Sequence, residues 1–208
     1  MLSEQSLAVD EALQDAYKTL AACYLKPSMQ TLAEALQDFE KRLLPLGPEV
    51  ASQAGALAQT FSQSGHQELL VDFARLFVGP FEVLAPPFGS YYIDKQLMMG
   101  DSTIALRDFY EQAGLEISPE FNNLPDHVSA VLEFLYFLMF NEIVAFKEQK
   151  EKSVSTFRDL RTDFLNNYIG IWADAFTKNI EDNAQSSFYS QLAKITKLVL
   201  NSHNITKQ

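Results

Sequence analysis

The sequence predicts an all-α protein, a single helical domain over residues 1–208 with seven or eight helices. Three observations predict it. Apolar residues recur at three- and four-residue spacing almost everywhere, sustained alternation of period two is nearly absent, and the Pro and Gly breaks are too brief to be domain linkers. The composition agrees: 47 % hydrophobic residues, with 16 Phe and 8 Tyr against only 8 Gly, describe a packed interior and not a disordered tail. A chain of this length buries roughly 70 % of its unfolded surface, enough for a core without disulfides.

The first helix is expected from about residue 4 to 25, with Leu13, Tyr17, Leu20 and Tyr24 on one face, and Pro27 ends it by removing a backbone donor. A second carries Leu32, Leu36, Phe39 and Leu43. Pro45 and Gly47-Pro48 break the chain, Pro48 suits a first helical turn, and Val50, Ala54, Leu57 and Phe61 continue the pattern to Gly65. A short helix from about 66 to 77 has the stripe Leu69, Leu70, Phe73, Leu76 and Phe77. Between Gly79 and Gly100 the period fails in an apolar segment broken by three prolines and three glycines, which predicts a loop of about twenty residues, a length that tends to be functional. Asp101 or Ser102 can cap the next helix, carrying Leu106, Phe109, Tyr110 and Ala113 and ended by Gly114. From about 127 to 150 lies the most hydrophobic segment, apolar on nearly all sides, which belongs at the centre of a bundle. The charged stretch 147–153 reads as a hinge. A long helix then presents Phe157, Leu160, Phe164, Tyr168, Ile171, Trp172 and Phe176, and a last one from Ser187 presents Leu192, Ile195 and Val199.

One cysteine, Cys23, cannot close an internal disulfide, and no Cys/His cluster has zinc spacing. The first fifteen residues hold four acids and no base, and no uncharged run reaches the ~18 residues that cross a bilayer. A cytoplasmic protein that does not enter the membrane is expected. The net charge is −11, and residues 66–133, with 3 bases and 11 acids, hold −8 of it. Such a surface repels nucleic acid and anionic lipid and steers a cationic partner toward the middle third.

No Gly-rich phosphate loop with its lysine, no GxSxG elbow and no HExxH occurs. Of the histidines, His66, His127 and His203, only His127 has a suggestive neighbour, Asp126. Adjacent helical residues point about 100° apart, so the pair is also compatible with a plain helix start at Pro125, with Asp126 at the positive end of the dipole. Phe73, Leu76 and Phe77 share one stripe, which suits a core face as well as a binding face, while Arg75 points away toward a carboxylate such as Asp72 or Glu82. In the segment from Pro86 to Tyr92, two prolines stiffen the backbone and Gly89 permits close approach. Phe88 and Tyr91 are then either anchors beside a groove or a cover folded over the core.

In order, FARLFVGP at 73–80, APPFGSYYIDKQ at 85–96 with GDSTIALRDFY after it, and LPDHVSAVLEF at 124–134 resemble the TorD/DmsD/NarJ family of cytoplasmic maturation chaperones for molybdenum redox enzymes. The match is nearest the TorD/DmsD branch and is strongest over residues 66–140. The resemblance implies an all-helical TorD-like fold and no enzymatic activity. It implies binding of the twin-arginine signal peptide and apo form of a reductase catalytic subunit, held until its molybdopterin is inserted. By motif position, Phe73, Leu76 and Phe77 are its first recognition or framework element, Pro87, Phe88 and Ser90 its second, and Asp126 with His127 its third, with Tyr91 beside them. Relatives often carry Trp where this chain has Phe88.

The implied ligand, a short cationic segment followed by an apolar stretch, asks for carboxylates beside an apolar groove. Asp126, with Glu82, Asp94 or Glu133, would meet the arginines while Phe88, Tyr91 and Leu76 line the apolar part. No resident cofactor is implied beyond weak guanine-nucleotide binding. Two other functions stay open, a nucleotide-binding or GTP-hydrolysing regulator and a permanent subunit of a reductase. Monomer and helix-swapped dimer both fit a hinge at 147–153.

Overall fold

The first predicted stripe, Leu13, Tyr17, Leu20 and Tyr24, is wholly buried, and it docks helix α1 (Glu4–Cys23) along the most apolar helix of the chain, α8 (Val128–Lys147). The computed structural model describes residues 4–79, 82–97, 99–115 and 124–202, so Pro80 and His203 of the sequence motifs lie outside the described residues. These residues form eleven α-helices and no β-strand, an all-α fold as the periodicity predicts. α8 is long and apolar enough to cross a membrane by length and composition, with a mean hydropathy of 1.7, but eleven of its residues are buried against protein. It is the core helix of the bundle.

The count exceeds the expected seven or eight for three physical reasons. The second predicted helix is two, α2 (Met29–Leu36) and α3 (Phe39–Arg42), because Asp38 adopts a left-handed φ of 53° and turns the chain between them. Gly47 turns it again at φ 103° before α4 (Pro48–Gln63), which has Pro48 in its first turn. The loop expected over 79–100 contains a short helix, α6 (Gly89–Ile93). The long helix expected over Phe157 to Phe176 is α9 (Glu151–Asn167), a 3₁₀ turn (Ile169–Ile171) and α10 (Ala173–Asn183). Gly170 makes that break possible, since a Cβ there would sit 2.2 Å from the Leu165 carbonyl oxygen.

Helix α5 (His66–Phe73) runs directly into a five-residue π-helical turn (Ala74–Val78) closed by Gly79 at φ 54°. Its Arg75 pairs with the buried Asp72 at 2.6 Å, and the other oxygen of Asp72 accepts from Gln185 N–H and Ser186 N–H, tying this turn to the start of α11 (Ser187–Asn201). Helix α7 (Asp101–Gln112) follows α6. Neither Asp101 nor Ser102 caps it: Asp94, at the end of α6, accepts from both the Ser102 N–H and hydroxyl, at 3.2 and 2.6 Å. The hinge expected at 147–153 is a three-residue turn between α8 and α9, closed by Lys150 N–H donating to Ala145 O. Beside it the buried Glu142 of α8 accepts from Arg158 and Arg161 of α9, at 2.8 and 3.0 Å.

Candidate functional site

Two of the three sequence motifs meet in one place. Pro87 O accepts from Val128 N–H at 2.8 Å, Gly89 N–H donates to Asp126 O at 3.0 Å, and Phe88 and His127 form an isolated antiparallel bridge. The ring of Phe88 stands edge-on to the His127 imidazole, 5.3 Å between centroids. Asp126 then turns its carboxylate onto the first turn of α6, where Oδ2 accepts from Ser90 N–H at 2.8 Å. Asp126 therefore caps α6 and not its own following helix. His127 does that, its Nδ1 accepting from Ser129 N–H at 3.2 Å with the Ser129 hydroxyl 2.8 Å away. Burial pushes the imidazole down to about 4, against the opposing charge of Asp126, so His127 is neutral at physiological pH. Asp126 and His127 thus use their side chains on different partners, with none of the mutual contact that a catalytic dyad needs.

The first motif is elsewhere. Leu76 and Phe77 are buried core residues, and Phe77 packs against Tyr24, Phe176 and Tyr189 with centroids 5.5–6.2 Å apart. Phe73 is half-buried beside them. The motif reaches the second through one bond, Ala85 N–H to Leu76 O at 2.8 Å, which anchors the entry of the Pro-rich segment. The expectation that Leu76 lines a groove is therefore corrected. A side chain with no exposed surface supports the wall from behind.

The groove itself is a cleft of about 260 Å³ enclosed by α6, α7, the start of α8 and the α9–α10 turn. Its apolar walls are Ile93, Leu106, Val131, Ile169, Ile171 and Trp172, and at its floor stand Asp126 and Ser90. Phe88 and Tyr91, expected as lining, are not part of it; Phe88 is spent on His127 and Tyr91 lies against Tyr92. Pro87 is buried in the wall behind. Among the acids expected beside the groove, Asp126 reaches it, Asp94 is committed to Ser102, and Glu82 and Glu133 are exposed away from the lining.

Two atoms of the floor lack partners. Asp126 Oδ1 and Ser90 Oγ are buried with no hydrogen bond, although the two residues are 2 % and 0 % exposed. A buried carboxylate oxygen left unpaired costs about 1–3 kcal/mol or more, so such atoms in a cleft are acceptors awaiting a donor. Of the lining residues, Ile93 and Ile171 are themselves exposed, and Leu97 and Met99 are exposed on the connection between Ile93 and Ser102, both of which line the cleft.

Sequence reasoning missed Trp172, Ile171 and Tyr168 as cleft residues, having placed them on one continuous helical stripe, and it did not single out Asn167. The signal was Gly170. A second glycine also matters: a Cβ at Gly89 would lie 2.9 Å from Trp172 Nε1, so α6 packs against the indole because it carries no side chain there.

A family model described as the nitrate reductase delta subunit matches residues 7–178. The Tat proofreading chaperone DmsD of Salmonella typhimurium is 27 % identical over 175 residues, covering 84 % of this chain and 76 % of that one. The chaperone protein TorD of Aliivibrio salmonicida is 23 % identical over 193 residues, 88 % of each chain. A crystal structure described as a redox enzyme maturation protein from Archaeoglobus fulgidus superposes with a TM-score of 0.55 at 21 % identity, covering 94 % of both chains, a likeness of fold.

Proposed function

Since the chain belongs to the nitrate reductase delta subunit family, we propose that it is a redox-enzyme maturation chaperone that holds the twin-arginine signal peptide of an immature molybdenum reductase in the cleft between α6, α7, α8 and the α9–α10 turn. The observation that carries this reading is the pair of orphaned acceptors, Asp126 Oδ1 and Ser90 Oγ, at the bottom of an apolar cleft. A guanidinium supplies donors for both while the apolar stretch that follows it leaves water against Ile93, Ile171 and Trp172. Affinity comes mostly from that apolar burial, and the carboxylate selects a cationic partner. Capture before cofactor insertion makes the chain a transient cytoplasmic partner of the apo reductase, with no resident cofactor of its own.

Calorimetric titration of the full chain with a synthetic leader tests this. Asp126→Asn retains an amide oxygen for Ser90 N–H but replaces the orphaned acceptor with a donor, so the scaffold is preserved and the cleft polarity inverted. The variant is expected to bind at least about tenfold more weakly, as loss of a charge-assisted contact requires. A parent chain that does not bind the leader, or an Asn variant that binds it equally well, overturns the reading. Guanine nucleotide added to the same titration is expected to leave it unchanged.

A further inference from the structure

The core helix α8 keeps one face outside the bundle. Glu133, Tyr136, Phe140, Val144 and Lys147 are exposed or half-buried, and at about 100° per residue they all fall within about 40° of the Phe140 direction. Phe140 is 47 % exposed, the only aromatic among the large exposed apolar side chains of the described residues. Val131, which lines the cleft, is nine residues from Phe140 and so about 180° round the helix, and this face therefore looks away from the cleft. Helix α1 runs antiparallel beside it: Lys147 pairs with Glu11 at 2.8 Å, and Lys18 Nζ stands 5.8 Å from the centroid of the Tyr136 ring. A groove of about 360 Å³ between the two helices is lined in part by Tyr136 and Phe140. Glu133 has no ion-pair partner among the described residues, and burial raises its carboxyl above the ordinary range.

The order of residues on this face is self-complementary. On α8 an acid stands seven residues before Phe140 and a base seven after it, with Tyr136 and Val144 four residues to either side. On α1 the base Lys18 lies level with Tyr136, and the acid Glu11 lies level with Lys147. The geometry points to a second copy of this chain as the occupant: two protomers meet across a two-fold axis at the level of Phe140, with α8 antiparallel to α8. Phe140 then meets Phe140 of the second copy beside the groove, Tyr136 meets Val144, and Glu133 gains the cation it lacks, Lys147. The same rotation sets α1 on α1 and Lys18 against Glu11. Every contact occurs twice, as an isologous interface requires. A partner of uniform charge is repelled by two of these four groups, whereas the rotated copy meets the opposite sign at each. The face covers about 20 Å of two adjacent helices, roughly 800 Å² in total for the pair, which suits a transient dimer with a dissociation constant of about 100 µM. Both clefts stay open on the outer sides, so the dimer does not depend on what the cleft binds.

Sedimentation velocity of the full chain, from about 10 µM to about 1 mM, reads the association. Glu133→Lys sets base against base at both ends of the α8 pair, and Lys147→Glu sets acid against acid. Each variant alone is expected to associate at least about tenfold more weakly than the parent. An equimolar mixture of the two is expected to restore the parental association, because every end then meets the opposite charge. Phe140→Ser, at the axis, is expected to remove association alone and in mixtures. All three sites are exposed, and parental circular dichroism shows that the fold is kept. A parent that stays monomeric throughout overturns the inference and leaves the face to some other occupant. Single variants that associate like the parent, or a mixture no better than its components, overturn it as well. A dimerising parent with either of those results is what helix exchange through the turn at 147–153 would give, since exchange needs no complementary face.

Discussion

His127 and Asp10 oppose one another in acid. The folded imidazole ionises near 4 instead of 6.5, so between those values the unfolded chain binds a proton that the folded chain does not, and stability rises with pH until the term is complete above 6.5. Asp10, buried on α1 near Glu142, is raised from 3.8 to about 6 by burial and that like charge, with Arg161 and Arg158 pulling it back. Here the folded state keeps a proton that the unfolded state has lost, so stability falls as pH rises from 4 to 6. Each term is worth about 3 kcal/mol across its window, and in the parent they largely cancel. Asp10→Asn is therefore expected to make the urea midpoint climb with pH between 4 and 6.5 where the parent stays nearly flat. An unchanged slope in the variant would count against both assignments. Residues of this kind were only half legible in the sequence. The Pro-Asp-His signature pointed to Asp126 and His127, but their partners are Ser90, on α6, and Ser129. Nothing local in LPDHVS says that the carboxylate caps a helix 36 residues earlier.

At the scale of elements, the stripes of α1, α4 and α11 were readable because each helix buries one face and its apolar residues repeat at 3.6. The breaks were not, since Asp38 and Tyr168 continue a helical pattern while the chain leaves it, and tertiary packing decides the matter. The cleft depends on those breaks. Its far wall is the 3₁₀ turn between α9 and α10, which presents Ile171 and Trp172 to α6. Gly89→Ala pushes a methyl group against the indole and is expected to cost about 1–3 kcal/mol, the range for overpacking. Trp172, the single tryptophan of the chain, reports the event directly: separation from α6 should shift its emission to the red and lower the thermal midpoint. A variant with parental emission and parental midpoint would show that α6 does not bear on the indole. Glu142→Ala tests a second junction. It leaves Arg161, 4 % exposed, buried without its carboxylate partner, and about 3–5 kcal/mol of destabilisation is expected in a denaturant titration, against less than 1 for removing an exposed pair such as Lys178–Asp182.

For the whole molecule, the net charge of −11, most of it carried by residues 66–133, gives a negative field that attracts a cationic partner. Long-range attraction of a cationic leader would act before contact and is screened over about 8 Å at physiological ionic strength, whereas the proposed contact would be made at the buried Asp126, where screening is weaker. The two effects separate kinetically. Emission from Trp172, at the cleft wall, allows association and dissociation to be followed by stopped flow without a label. Raising salt from about 50 to 500 mM should slow association by roughly tenfold while dissociation changes little, and Asp126→Asn should do the opposite, accelerating dissociation with a modest effect on association. The apolar wall strengthens the expectation, because Ile93 and Ile171 would hold a docked segment by a force that salt does not weaken. Dissociation that speeds up with salt as steeply as association slows would mean that the bound state is held by solvated surface pairs, and the cleft would lose its claim to be where the leader rests.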